Sequence, residues 1–174
     1  MKNRALTFRD AAPNDAAPLS AAGRDTYIEN FAAIYPASDL RTFLDANFSP
    51  DKQLAEIENP DVDIRLALAG TRILGFCMIG PVKLPVEHDP ATSLELHRLY
   101  VRESTQGVGI GRILLTWAVE QARQRGAKQL FLGVWEANHK AIAVYANRGF
   151  EAVGDYKIKV GDSVDDELIM RKIL

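Results

Sequence analysis

The segment QGVGIG, Gln106 to Gly111, stands between an apolar run, LELHRLYV (Leu94–Val101), and an amphipathic one, RILLTWAVEQARQRG (Arg112–Gly126). A strand-to-helix turn ordinarily needs a single glycine, and glycines cost the folded chain backbone entropy while adding nothing to a core. Here Gly107, Gly109 and Gly111 occupy alternate positions. The charge pattern says what they are for. Helices favour Asp or Glu in the first turn, where the dipole is positive. Between Ser104 and Val119 there is no carboxylate, and Arg112 sits in the first turn instead. A helix start without acid and with a cation is free to take an external anion. Backbone without side chains lets phosphate oxygens approach its N–H groups. Two nucleotide signatures fail on spacing. Gly111 is followed by Arg112-Ile113 rather than Lys-Ser/Thr, and the dinucleotide pattern G-x-G-x-x-G neither matches nor belongs so late in a chain.

Working outward, ALTFR (Ala5–Arg9) reads as a first strand, and the pattern from Asn14 to Ile34 is helical, with Tyr27, Phe31 and Ile34 on one face. Pro36 breaks it, and Ser38 is placed to cap a second helix running through Phe48. Ser49-Pro50 offers a cap and a first-turn proline for a third, short helix that Asn59-Pro60 ends. DIRLALAG and RILGFCMIG, joined at Gly70-Thr71, form a hairpin pattern, and a polar loop follows from Pro81 to Thr92. After the glycine loop and its helix come a strand, KQLFLGVW, a short helix to Arg148 with Gly149 to stop it, and a closing strand pair. Strand–helix–strand runs beside hairpins predict an α/β or α+β domain with a mixed sheet.

Composition narrows the class. A chain of 174 residues fits one domain spanning residues 1–174, and 47% apolar with 25% charged residues is ordinary globular composition. The net charge of −2 argues against a general nucleic-acid partner. No run is apolar enough for a membrane span, and the polar start MKNRALTFRD is unlike a signal peptide, so the cytoplasm is the expected compartment. Cys77 is alone, which precludes an internal disulfide, and with three scattered histidines it forms no metal-ligand cluster.

QGVGIG, joined by a second segment, resembles a known family. Gln106-Gly-Val-Gly-Ile-Gly matches the Q/R-x-x-G-x-G/A loop of the GCN5-related N-acetyltransferases, and VWEANHKAIAVYANRGF (Val134–Phe150) matches their N-x-x-A-x-x-x-Y-x-x-x-G-F segment through Asn138, Ala141, Tyr145, Gly149 and Phe150. The likeness is specific over Leu94–Phe150 and one of element order before it. TYIENFAAIYPASDL (Thr26–Leu40) and the tail from Tyr156 are also similar to the PaiA-type spermidine/spermine acetyltransferases, with Asp166-Glu167 where that group carries an aspartate.

The resemblance implies a mixed central sheet of about six to seven strands flanked by helices, with strands 4 and 5 splayed. It also implies acetyl-coenzyme A as cosubstrate, bound by Gln106, Gly107, Val108, Gly109, Gly111 and Arg112 at its pyrophosphate. The pantetheine arm would lie along the backbone of Leu99 and Val101, with Asn138 bonding that arm or simply capping its helix. Acetyl would pass directly to a primary amine in a ternary complex. Such an amine, with pKa about 10.4, needs a base at neutral pH. Glu95, acting through a water, is the expected base, with His97 its rival and a packed, structural histidine the plainer role for the latter. Period-2 alternation places Glu95, His97, Leu99 and Val101 on one face. Tyr145 would donate to the departing thiolate, or pack with Ile142. Tyr27, Phe31 and Tyr35 line the acceptor pocket or belong to the core. Glu29, Glu87, Asp89, Asp162 and Glu167 draw in a polycation or are solvated. The acceptor is expected to be a small amine such as a polyamine; a protein N-terminus or lysine, or a non-catalytic acyl-coenzyme A sensor, are the other readings. A homodimer through the exposed end of DELIMRKIL is implied by resemblance alone.

Overall fold

The computed structural model describes residues 5–174; Met1–Arg4, the start of the polar segment read above as no signal peptide, lies outside them. Strand β1 (Leu6–Asp10) leads through a 3-10 turn into α1 (Ala16–Phe31), α2 (Ala37–Asn47) and α3 (Pro50–Glu58). Then come β2 (Asp63–Ala69), β3 (Arg72–Gly80), β4 (Ser93–Val101), α4 (Ile110–Gln124), β5 (Gln129–Trp135), α5 (His139–Ala146), β6 (Glu151–Val160) and β7 (Ser163–Ile173). The strands form one mixed sheet in the order β1-β2-β3-β4-β5-β7-β6.

Helix starts follow local chemistry with one exception. Ser49 caps α3, its hydroxyl accepting from Lys52 N at 3.2 Å. Ser38 does not cap α2: the helix begins one residue earlier, directly after Pro36. Asp39, in that first turn, instead accepts from the backbone and hydroxyl of Ser163, at 3.1 and 2.6 Å, and so fastens α2 to the turn between β6 and β7. A long-range partner outcompetes the local one.

Apolar burial is two-sided. Leu114, Leu115 and Ala118 of α4 pack on Leu94, Leu96, Leu130 and Leu132 across one face of the sheet. Leu19, Tyr27, Leu44 and Phe48 from α1, α2 and the chain after it pack on Leu66, Phe76 and Met78 across the other. β5 enters parallel to β4, the connection through α4 being a crossover, and every other pairing is antiparallel.

Two irregularities in β4 shape everything that follows. Its pairing with β5 runs from Ser93 opposite Gln129 to Leu96 opposite Leu132 and then stops, so the strands part at Leu96. Against β3 the register jumps from Ile79–Leu96 to Met78–Arg98, leaving His97 as an extra residue in a β-bulge. The bulge reverses the alternation beyond it. Leu99 and Val101 join Leu94 and Leu96 on the α4 face, whereas Glu95 lies on the opposite face. The expectation that Glu95, His97, Leu99 and Val101 share one face is therefore corrected. At this end of the sheet β7 pairs with β5 as far as Ile173 but with β6 only as far as Arg171, and β6 forms the outer edge.

Candidate active site

The glycine loop folds as its spacing demands. Gly107 and Gly109 have φ of +85° and +90°, in the left-handed region that side chains disfavour. Gly109 is the N-cap of α4, and the first helical bond runs from Ile113 N to Gly109 O at 3.1 Å. The amides of Ile110, Gly111 and Arg112 thus have no helical carbonyl behind them. No acidic side chain occupies this first turn. Lys140 of α5 reaches across to Gln106 Oε1 at 3.1 Å and brings a second cation to the loop, beside Arg112. Gln106 itself donates to the Val101 carbonyl at 3.4 Å, tying the loop back to β4.

From this loop a cleft of about 880 Å³ runs through the gap between β4 and β5 to the opposite face of the sheet. Leu99, Val101, Gln106, Gly107, Gly109, Gly111, Arg112, Asn138 and Tyr145 line one part of it, and Tyr27, Phe31, Tyr35, Glu95 and His97 the other. Of the residues expected to hold the cosubstrate, Val108 alone is off the wall; its side chain projects outward, 68% exposed. The structure therefore gathers two sets of residues, far apart in sequence, around one continuous space.

Glu95 is buried at the point where the strands part. Its Oε2 accepts from the amides of Lys83 at 2.6 Å and Leu84 at 3.1 Å, both in the loop after β3. Burial pushes its pKa up, against the lowering pull of these two bonds. Arg98, close to Glu95 in sequence, pairs with Glu56 at 2.8 Å and lies 4.8 Å from the Phe48 ring. His97 Nε2 lies 2.8 Å from Pro81 O, a contact that places the proton on Nε2. Burial drives the His97 pKa down to about 4, so the ring is neutral near pH 7.

These features agree with the comparisons against known proteins. The sequence profile of the Acetyltransferase (GNAT) family matches residues 24–150. The chain belongs to this family. Among GNAT relatives, an uncharacterized N-acetyltransferase of Lactobacillus delbrueckii subsp. lactis is 28% identical over 154 residues, 88% of this chain and 89% of that one. A spermidine N(1)-acetyltransferase of Thermoplasma acidophilum is 25% identical over 171 residues, 96% of each. In fold, the chain is similar to the PaiA N-acetyltransferase of T. acidophilum, solved in complex with coenzyme A, with a TM-score of 0.79 at 22% identity, covering 98% of this chain and 99% of that one.

Within this GNAT framework the remaining side chains take definite places. Tyr145 projects from α5 into the cleft and meets Phe150 edge-on, centroids 5.8 Å apart; burial raises its pKa well above that of a free phenol. Asn138 caps α5, its side chain accepting from Ala141 N at 3.1 Å, while it also borders the cleft. Tyr27 is both core and lining: it stacks on Phe43 and tilts against Phe31, each at 4.5 Å. Tyr35 donates to Asp165 of β7.

Of the five carboxylates expected to attract a polycation, Glu167 alone borders the cleft. Glu29 accepts from Glu103 N and faces Arg102 at 3.7 Å, and Asp89 is spent on its own loop through Ala91 and Thr92. Sequence reasoning passed over Tyr156, Trp135 and Gly133, which also border the cleft. No spacing rule links Tyr156 to Gly133; they meet because β7 lies between their strands. Among the described residues no group of three His, Cys, Asp or Glu could hold a metal, and no helix is long and apolar enough to cross a membrane.

Proposed function

We propose that the protein transfers the acetyl group of acetyl-coenzyme A to the primary amine of a small cationic molecule, by direct attack in a ternary complex. The observation that carries this reading is the continuity of the cleft from the bare amides of the glycine loop, through the gap between β4 and β5, to the buried carboxylate of Glu95. The diphosphate would take the amides at the start of α4, with Arg112 and Lys140 as counter-charges. The pantetheine arm would follow β4 at Leu99 and Val101, where β5 no longer pairs. That leaves the thioester carbonyl at the vertex of the gap, next to Glu95.

At neutral pH only about one alkylamine in a thousand is unprotonated. Glu95, with its pKa raised by burial, is a stronger base than a surface carboxylate, and two backbone amides fix its orientation. It takes the ammonium proton through a water. The amine lone pair then forms the C–N bond, the C–S bond breaks as the tetrahedral intermediate collapses, and the proton left on the nitrogen passes to the departing thiolate or to water. Tyr145 faces the departing sulfur. Because burial keeps its phenol protonated, it acts as a hydrogen-bond donor to the thiolate rather than as a full proton donor.

The acceptor end favours a small cation. Tyr27, Phe31, Tyr35 and Trp135 border this end, an aromatic lining suited to an alkylammonium. The Tyr35–Asp165 and Asp39–Ser163 bonds tie the α1–α2 turn and the start of α2 to β7 at this end. Similarity to the spermidine N(1)-acetyltransferase supports a polyamine among the candidates. The test is release of free thiol from acetyl-coenzyme A over a panel of primary amines, with coenzyme A affinity measured by calorimetry. Turnover with short diamines or polyamines is expected. Coenzyme A binding without turnover of any amine would point to a sensor, and the absence of coenzyme A binding would end the reading altogether.

A further inference from the structure

We infer that Glu167, held across the sheet by Tyr156 in a notch that Gly133 leaves open, binds and orients the acceptor's ammonium, and so sets the preference for a charged amine. This rests on the acetyltransfer reading above and assigns it a second carboxylate. In the β7 register Glu167 stands opposite Trp135 of β5 on one side and Tyr156 of β6 on the other. The Tyr156 hydroxyl donates to Glu167 Oε2, which leaves Oε1 for a ligand. A Cβ at position 133 would lie 2.4 Å from the Tyr156 hydroxyl and 2.9 Å from Glu167 Oε2. Both polar tips therefore rest directly over the bare backbone of Gly133, where any side chain would expel them.

The place of that notch gives it meaning. Gly133 follows Leu132, the last β5 residue paired with β4, so the tips sit at the vertex of the gap. Glu95 enters the same vertex from β4, opposite Phe131, on the same face. Two carboxylates, Glu95 buried and Glu167 half-buried, thus flank the position given to the thioester. Among the described residues neither makes an ion pair, whereas Glu56 and Asp15, also largely buried, are paired with Arg98 and Arg9. A desolvated carboxylate without a cation is costly. Burial raises the pKa of Glu167 against the lowering pull of the Tyr156 hydroxyl, and the Asp165 and Glu95 charges raise it further. An ammonium entering the cleft supplies the missing counter-charge to both. The labour then divides: Glu167 holds the nitrogen, and Glu95 removes the proton. Tyr156 is a positioning residue, acting through Glu167.

The experiment is steady-state kinetics with n-propylamine, 1,4-diaminobutane and spermidine as acceptors, on the native protein, Glu167→Gln and Gly133→Ala, with coenzyme A affinity measured on each by calorimetry. Loss of a charge-assisted contact should raise the amine KM roughly 10- to 100-fold in Glu167→Gln, with kcat within about threefold of native and coenzyme A affinity retained. Gly133→Ala keeps every charge and displaces only the two tips, so it should raise the amine KM in the same direction. That variant keeps the inference testable should Glu167→Gln fold poorly. An unchanged amine KM in either folded variant, beside a working native enzyme, overturns the role of Glu167 and leaves the acetyltransfer reading intact. A native protein that acetylates none of the three amines overturns both.

Discussion

The neutral, buried His97 ring yields a quantitative expectation that also bears on which group is the base. Burial, aided by the positive charges of Lys83 and Arg98, lowers its pKa from 6.5 to about 4 in the folded chain, although the Pro81 carbonyl favours the protonated ring. Below pH 6.5 the unfolded chain therefore takes up a proton that the folded chain refuses. Stability from this group is complete above 6.5 and is lost as pH falls towards 4. At about 1.36 kcal/mol per pH unit over that interval, the loss is on the order of 3 kcal/mol. Urea unfolding of the native protein and His97→Gln, at several values between about pH 7.5 and pH 4, isolates it. Asp15, held low by Arg9, and the raised Glu95 and Glu167 titrate in both proteins, so they cancel in the difference. The gap between native and variant should shrink by on the order of 3 kcal/mol across the window. A gap that stays constant, or an imidazole that titrates near 6.5 by NMR in the folded native protein, would refute the reasoning. A ring with so low a pKa is a poor proton acceptor, which supports the proposal of Glu95 as the base.

Glu95→Gln should lower kcat by roughly 10²- to 10⁴-fold with coenzyme A affinity unchanged, as measured by thiol release and calorimetry. With the Glu95 carboxylate as the proposed base and its pKa raised by burial, native kcat/KM should climb with pH through a value above the ordinary carboxylate range, and this limb should vanish in the variant. Gly109→Val places a β-branched side chain at φ +90° and should abolish measurable coenzyme A binding by calorimetry while a cooperative thermal transition remains. Arg98→Met strands the Glu56 carboxylate, whose partner is buried beside Phe48, and should cost about 3–5 kcal/mol in urea unfolding.

The conformation of the glycine-loop end of the cleft was legible in the sequence because it is written in neighbouring residues. Gly107 and Gly109 are needed for positive φ, the acid-free start of α4 keeps its amides available, and Asn138 caps the short helix that carries Tyr145, with Gly149 in the turn after it. Such constraints act over a few residues, so a linear pattern carries them. The acceptor end is different. A single extra residue at His97 turned Leu99 and Val101 to the face opposite Glu95, and period-2 reasoning has no means to foresee a bulge set by the register of β3. Glu167, Tyr156 and Gly133 come from three strands, and they meet only because β7 lies between β5 and β6. Backbone conformation is a local property and shows in spacing; contact across a sheet depends on strand order and register, which arise when distant segments pack.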